Sequence, residues 1–193
     1  MDFIERDLED IIFNTDPNLL EDRGLSLLFD AHTYRQLQIG EYGIADIVQF
    51  KISKDPYFDG KDYKFHNVVQ LKVIELKKDE INLSTFMQAL SYAKGLESFY
   101  QRRYRKMKAY CKLEVSIVLI GKKINMKDNF VYLVDFLDNP KFELDLYTYS
   151  YDFDGISFNY KSGYKLTNEG LKSTLSYRGY KKTETYTNDE QDN

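Results

Sequence analysis

An α/β sandwich built on a mixed sheet is the fold class this sequence predicts, and three patterns point to it. Two stretches, 3–13 and 81–107, carry apolar residues at helical spacing; 67–77 alternates and is rich in β-branched residues; and 113–120 is almost wholly apolar. The resulting order of helix, three strands, helix, strand, helix, strand is that of helices laid on a sheet. At 193 residues the chain is long enough for one domain with a substantial core.

Taken in order, FIERDLEDIIF at 3–13 sets Ile4, Leu8, Ile11 and Ile12 on one helical stripe. Pro17 pushes Asp16 away from helical dihedrals and is expected to stop that helix. RQLQIGEYGIADIVQFKI reads as two short strands hinged at Gly40 and Gly43, and 53–66 as a polar loop with Pro56 and Gly60 as turn residues. The strand at 67–77 finds its simplest partner in 44–52, as an antiparallel hairpin. Phe86, Leu90, Ala93 and Leu96 mark the following helix, with Ser84 a candidate N-cap. LEVSIVLI at 113–120 suits an internal strand. Residues 128–137 fit a helix better than the alternation they partly share, and 141–159 reads as a hairpin or two edge strands turning at Asp154-Gly155. Beyond Tyr160 the chain turns Tyr/Lys/Thr/Asn-rich, so a domain over 1–160 and a polar extension over 161–193, extended or partly disordered, are expected.

Charge and composition narrow the function classes. The net charge is −4, of which −2 belongs to the tail after Tyr180, where four acids outnumber Lys181 and Lys182. A protein relying on nonspecific DNA affinity is usually basic, so any nucleic-acid surface must be a local patch. One cysteine, Cys111, and two histidines leave neither a disulfide nor the ligands of a structural zinc site. MDFIERDLED lacks the apolar core of a signal peptide, and no apolar run approaches a bilayer span. A cytoplasmic protein with no membrane partner is expected.

The chemistry concentrates in GIADIVQF at 43–50 and VIELKK at 73–78. Asp46 interrupts an apolar strand. Glu75 and Lys77, two apart, share a strand face, with Ile74 and Leu76 on the other. Carboxylates are costly to bury alone, so two of them from adjacent strands beside a lysine suggest a site for a hard divalent cation, Mg²⁺ or Mn²⁺. Asp46, Glu75 and the Leu76 carbonyl are the candidate ligands. Phosphodiester hydrolysis fits such a site, with Lys77 orienting water or offsetting developing negative charge. A Glu-x-Lys pair can also be no more than the solvated face of an edge strand. The preceding GIAD and the long helix that follows favour chemistry.

Asp46 with Glu75-Leu76-Lys77 resembles the signature of the PD-(D/E)XK nuclease superfamily, with Ala45 where a proline usually precedes the aspartate. In MQALSY, Gln88 and Tyr92 resemble the QxxxY motif of RecB-like nucleases, four apart on one helical face. IERDLEDIIFNTDPNLLEDRGL is similar to the opening of the nuclease domain in the mismatch-specific endonuclease family, where a glutamate of the first helix completes the acidic site. Glu5 matches that glutamate and lies nearer the Leu8/Ile12 stripe on a helical wheel; Glu9 stays in reserve. The resemblance spans about residues 3–122. It implies a restriction-endonuclease-like α/β/α sandwich with a central mixed sheet, and a catalytic set of Glu5, Asp46, Glu75, Lys77, Gln88 and Tyr92. It does not extend to the oligomerisation domain of the mismatch endonucleases.

One basic cluster, FYQRRYRKMKAY, interleaves Arg102, Arg103, Arg105, Lys106 and Lys108 with tyrosines. It is a candidate nucleic-acid surface, although the same cations would also suit a helix C-terminus. A DNA-hydrolysing enzyme is therefore the leading expectation. A catalytically silent module in a larger assembly and an RNA-directed nuclease are the alternatives, and a homodimer stays open.

Overall fold

The computed structural model describes residues 4–58, 60–103, 111–125 and 142–165. It is a mixed α/β arrangement: a six-stranded mixed sheet with helices against both faces. Helices α1 (Glu5–Asn14) and α2 (Pro17–Asp22) open the chain. Pro17 does end α1, but it also starts α2, with the Asp16 carboxylate accepting the Asn18 N–H at 2.8 Å as its cap.

Strands β1 (His32–Gln38), β2 (Ile44–Phe58) and β3 (Tyr63–Leu76) then form an antiparallel meander, with a single 3₁₀ turn at Gly40–Tyr42 between β1 and β2. The polar loop expected over 53–66 is instead strand. Pairing continues from Ser53↔Val68 to Phe58↔Tyr63, leaving a short turn around Gly60, whose φ is +92°. Polar composition misled because this stretch outruns its neighbours: β1 stops pairing at Phe50 and β5 (Cys111–Gly121) begins at Asn67. The arm between them is two-stranded and wet on both sides, so it has no apolar alternation to display.

From β3 the chain passes through the short β4 (Glu80–Ile81) into α3 (Leu83–Arg103) and returns in β5, parallel to β3. The cap of α3 is Asn82, whose carboxamide oxygen accepts the Thr85 N–H at 3.0 Å; Ser84 already lies within the helix. Strand β6 (Lys123–Ile124) pairs with β4 in a small second sheet. Strand β7 (Phe142–Asp152) lies parallel to β5, and β8 (Gly155–Lys165) closes a hairpin on it, so the order is β1-β2-β3-β5-β7-β8. The hairpin expected near Asp154-Gly155 is present, but β8 runs to Lys165, five residues past the expected domain boundary at 160. The helix expected over 128–137 and the extension from 166 onward lie outside the described residues.

The core has two halves, one on each sheet face. Val73, Val115, Ile117 and Leu119 meet Phe86, Ala89, Tyr92 and Ala93 of α3. Ile74, Leu76, Val118 and Ile120 meet Leu8 and Ile12 of α1, Leu20 of α2, and Leu25. Strands β3 and β5 are thus buried on both sides, which is why 113–120 reads as unbroken apolar sequence. Among the described residues no helix is long and apolar enough to cross a membrane.

Gly43 lies between the 3₁₀ turn and β2. Its φ is +111°, and a Cβ there would sit 3.0 Å from Cε1 of Tyr92. Gly43→Ala is expected to cost about 2 kcal/mol through backbone strain and crowding. Urea denaturation would measure it, and an unchanged midpoint would refute the packing role assigned to this glycine.

Candidate functional site

Asp46 and Glu75 become neighbours through the β2–β3 register. The last pair of the ladder is Ile47↔Ile74, which sets the next residue of each strand, Asp46 and Glu75, side by side at its end. Strand alternation also breaks here. Ala45 belongs to the α3-side core and Ile47 to the α1-side core, although residues two apart in a regular strand share a face. On β1, Arg35↔Ile47 and Leu37↔Ala45 are paired, but Gln36 and Asp46 between them are not. Beside this gap, Asp46 Oδ2 accepts the Leu76 N–H from the neighbouring strand at 2.8 Å. Burial raises the Asp46 carboxyl above its usual range, against the opposing pull of that N–H bond and of the Lys77 charge.

Glu75 is 1% exposed. Its Oε1 accepts the Lys77 ammonium at 2.8 Å, while Oε2 is buried and has no hydrogen-bond partner among the described residues. Burial first, and the Asp46 charge second, push this carboxyl up to about 7, despite Lys77. Burial opposes the Lys77 charge as well. Its bond to Glu75 and the charges of Glu5 and Asp46 nonetheless leave its pKa above the ordinary lysine value, so Lys77 stays cationic at neutral pH. Both partners of the pair thus move upward. Glu75 has no solvent and an acid beside it, whereas Lys77 is surrounded by acids.

Helix α1 supplies two more acids, placed differently from the wheel expectation. Glu9 is the buried one, 6% exposed, whereas the Glu5 side chain is 44% exposed. Glu9 turns inward because β1 brings Arg35 over it: Arg35 is ion-paired with Glu9 and Asp10, and Gln36 Nε2 donates to Glu9 Oε2 at 2.9 Å. A wheel drawn on α1 alone contains neither partner. Glu5 reaches the end of β3, accepting the Lys78 N–H at 3.1 Å and standing 3.9 Å from the Lys77 ammonium. Glu5, Asp46, Glu75 and Lys77 therefore gather at one strand end, and Glu9 meets Asp46 through Gln36, whose Nε2 is 3.4 Å from Asp46 Oδ1.

An open cleft of about 520 Å³, lined by Glu5, Arg6, Glu9, Arg35, Gln36 and Asp46, reaches the Asp46 side of this cluster but is not lined by Glu75 or Lys77. Gln36 and Arg35 escaped the sequence reading, which took their run only as strand. The available signal was a charged and an amide residue adjacent in a strand opposite an acidic helix. A larger cleft of about 630 Å³ lies between the 3₁₀ turn and α3 and contains none of the converging acids.

Gln88 and Tyr92 bond to each other, Nε2 to hydroxyl at 2.7 Å, and the Tyr92 ring rests on Gly43 at the head of β2. They brace the strand that bears Asp46. Arg102 and Arg103 end α3, and Arg102 lines the larger cleft with Leu96 and Phe99. Ten residues of helix separate Arg102 from Tyr92, about 15 Å. Arg105, Lys106 and Lys108 lie outside the described residues.

A divalent cation would find two carboxylates and the main chain of Leu76 here. Among the described residues no three His, Cys, Asp or Glu side chains form a ready-made metal cluster. The donor set nevertheless fits a hard cation, because Oε2 of Glu75 is a carboxyl oxygen shut away from water with no hydrogen-bond partner among the described residues. In comparison with known proteins, no family model, no curated protein and no solved structure matches this chain.

Proposed function

We propose that this protein is a Mg²⁺- or Mn²⁺-dependent nuclease of the PD-(D/E)XK, restriction-endonuclease-like type, hydrolysing DNA phosphodiester bonds. The observation that carries the reading is the unpartnered, buried Oε2 of Glu75, with Asp46 beside it and the Lys77 ammonium on its other oxygen. The ion pair with Lys77 satisfies only one of the two oxygens, and an unmet buried acceptor costs about 1–3 kcal/mol.

Asp46, Glu75 and the Leu76 carbonyl would hold the cation. When bound, such an ion supplies charge neutralisation at the phosphoryl group and a more acidic water. Lys77 remains protonated and offers its ammonium to a developing anionic oxygen, which makes it an electrostatic stabiliser rather than a base. Glu5, half-exposed at the same strand end, holds the Lys78 N–H and faces the Lys77 ammonium. Gln88 and Tyr92 act at one remove, through Gly43 and β2.

The purified chain should cleave DNA in Mg²⁺ or Mn²⁺ and stop in EDTA. Single-stranded, double-stranded and branched DNA are the arms, with RNA of the same sequence as the rival substrate. Asp46→Ala should lower the rate about 100- to 1,000-fold. Cleavage that persists at the original rate in Asp46→Ala would exclude the hydrolytic site. Absence of both cleavage and Mn²⁺ binding would leave a silent module of the same shape.

A further inference from the structure

We infer that Gln36 is a positioning residue for Asp46, kept in a left-handed backbone conformation so that one side-chain amide bridges Glu9 and Asp46. What Asp46 does rests on the nuclease reading above; how Asp46 is held does not.

Two non-glycine residues among those described have positive φ, Asp30 at 53° and Gln36 at 48°. Asp30 lies in the turn before β1, where an aspartate readily takes that conformation. Gln36 sits in the middle of β1, where neither residue type nor location favours it. The strain coincides with the one gap in the β1–β2 pairing, and across that gap stands Asp46. If only the backbone path mattered, glycine would follow it at lower cost. What glutamine adds is an amide.

That amide is matched to its surroundings. Its nitrogen carries two hydrogens, and it lies 2.9 Å from Glu9 Oε2 and 3.4 Å from Asp46 Oδ1. Glu9 is buried and fastened by Arg35, so it provides a fixed anchor. Asp46 Oδ2 is already engaged by the Leu76 N–H, and Gln36 engages the other oxygen, which hinders rotation of the carboxylate. A lysine or arginine in its place would also orient Asp46, but would cancel the charge that attracts a cation. A neutral donor orients it without that penalty. Glu9 thereby acts through Gln36, and Glu5 is the acid left facing the Lys77 end of the site.

Gln36→Gly removes the amide and relieves the backbone; the relief of strain offsets part of the bond lost at Glu9, so the variant should still fold. Two readouts on the full chain test the proposal. In metal-free protein, hydrogen exchange of the Leu76 amide, followed by NMR, should quicken about tenfold while Val73 stays unchanged. In titration calorimetry the Mn²⁺ dissociation constant should rise about tenfold or more, in a variant that still unfolds cooperatively. Wild-type values for both in a folded Gln36→Gly would overturn the positioning role and leave the nuclease reading intact. Faster Leu76 exchange in a protein whose wild type binds no Mn²⁺ would uphold the positioning role and defeat the nuclease reading.

Discussion

Glu75→Gln is expected to make the metal-free protein more stable at pH 8 by about 3 kcal/mol, and to abolish its stabilisation by Mn²⁺. A carboxyl moved from 4.5 to about 7 on folding binds its proton more tightly in the native state, by about 3 kcal/mol at ~1.4 kcal/mol per pH unit. Native protein therefore holds more protons than unfolded protein between those two values. Stability from this group is full below pH 4.5 and drains away as pH rises to about 7. Above that, the wild type carries an ionised carboxylate with one oxygen buried and unbonded. Glutamine is nearly the same shape and never ionises. It should match wild type at pH 5 and exceed it at pH 8, as guanidinium titrations at the two pH values would reveal. Mn²⁺ at a hundredfold excess over its dissociation constant should restore about 2.7 kcal/mol to wild type at pH 8 and nothing to the variant. A variant less stable than wild type at pH 8 would mean that Glu75 is there for its ion pair with Lys77.

Lys77→Ala should lower hydrolysis about 100- to 1,000-fold while Mn²⁺ binding persists at pH 9. The ammonium touches Glu75 Oε1 at 2.8 Å and stands 3.9 Å from Glu5, so it opposes a bound cation as well as serving the reaction. Removing it takes a like charge away from the cation and a positive charge away from the phosphoryl oxygens. High pH is needed because Glu75, without its partner, will hold its proton above 7. Calorimetry for Mn²⁺ and single-turnover cleavage separate the two effects. Equal rates for Lys77→Ala and wild type would remove lysine from the chemistry. Loss of Mn²⁺ binding at pH 9 would instead make Lys77 a structural partner of Glu75.

Much of this site was legible beforehand because it depends on local spacing. Glu75 and Lys77 share a face since they are two apart in a strand, and Ile74 and Leu76 enter the opposite core. The GIAD run identified Asp46 because an acid inside an apolar strand is expensive without a partner. The hairpin arm over 53–66 was not legible, because a two-stranded ribbon surrounded by water needs no buried face. Neither was the choice between Glu5 and Glu9. On an isolated helix the two differ by one turn, and only Arg35 arriving from β1 makes Glu9 the buried acid and leaves Glu5 beside Lys77.

By itself, then, the sequence determined the mixed α/β class, the strands with both faces buried and the acid, acid and lysine set, all of which follow from periodicity within single elements. Tertiary structure alone decided that Asp46 stands at a gap in the β1–β2 pairing, that Gln36 across that gap takes a positive φ, and that Glu75 keeps one oxygen without a partner among the described residues. Those features come from contacts between residues tens of positions apart, and a pattern of period 2 or 3.6 carries no record of them.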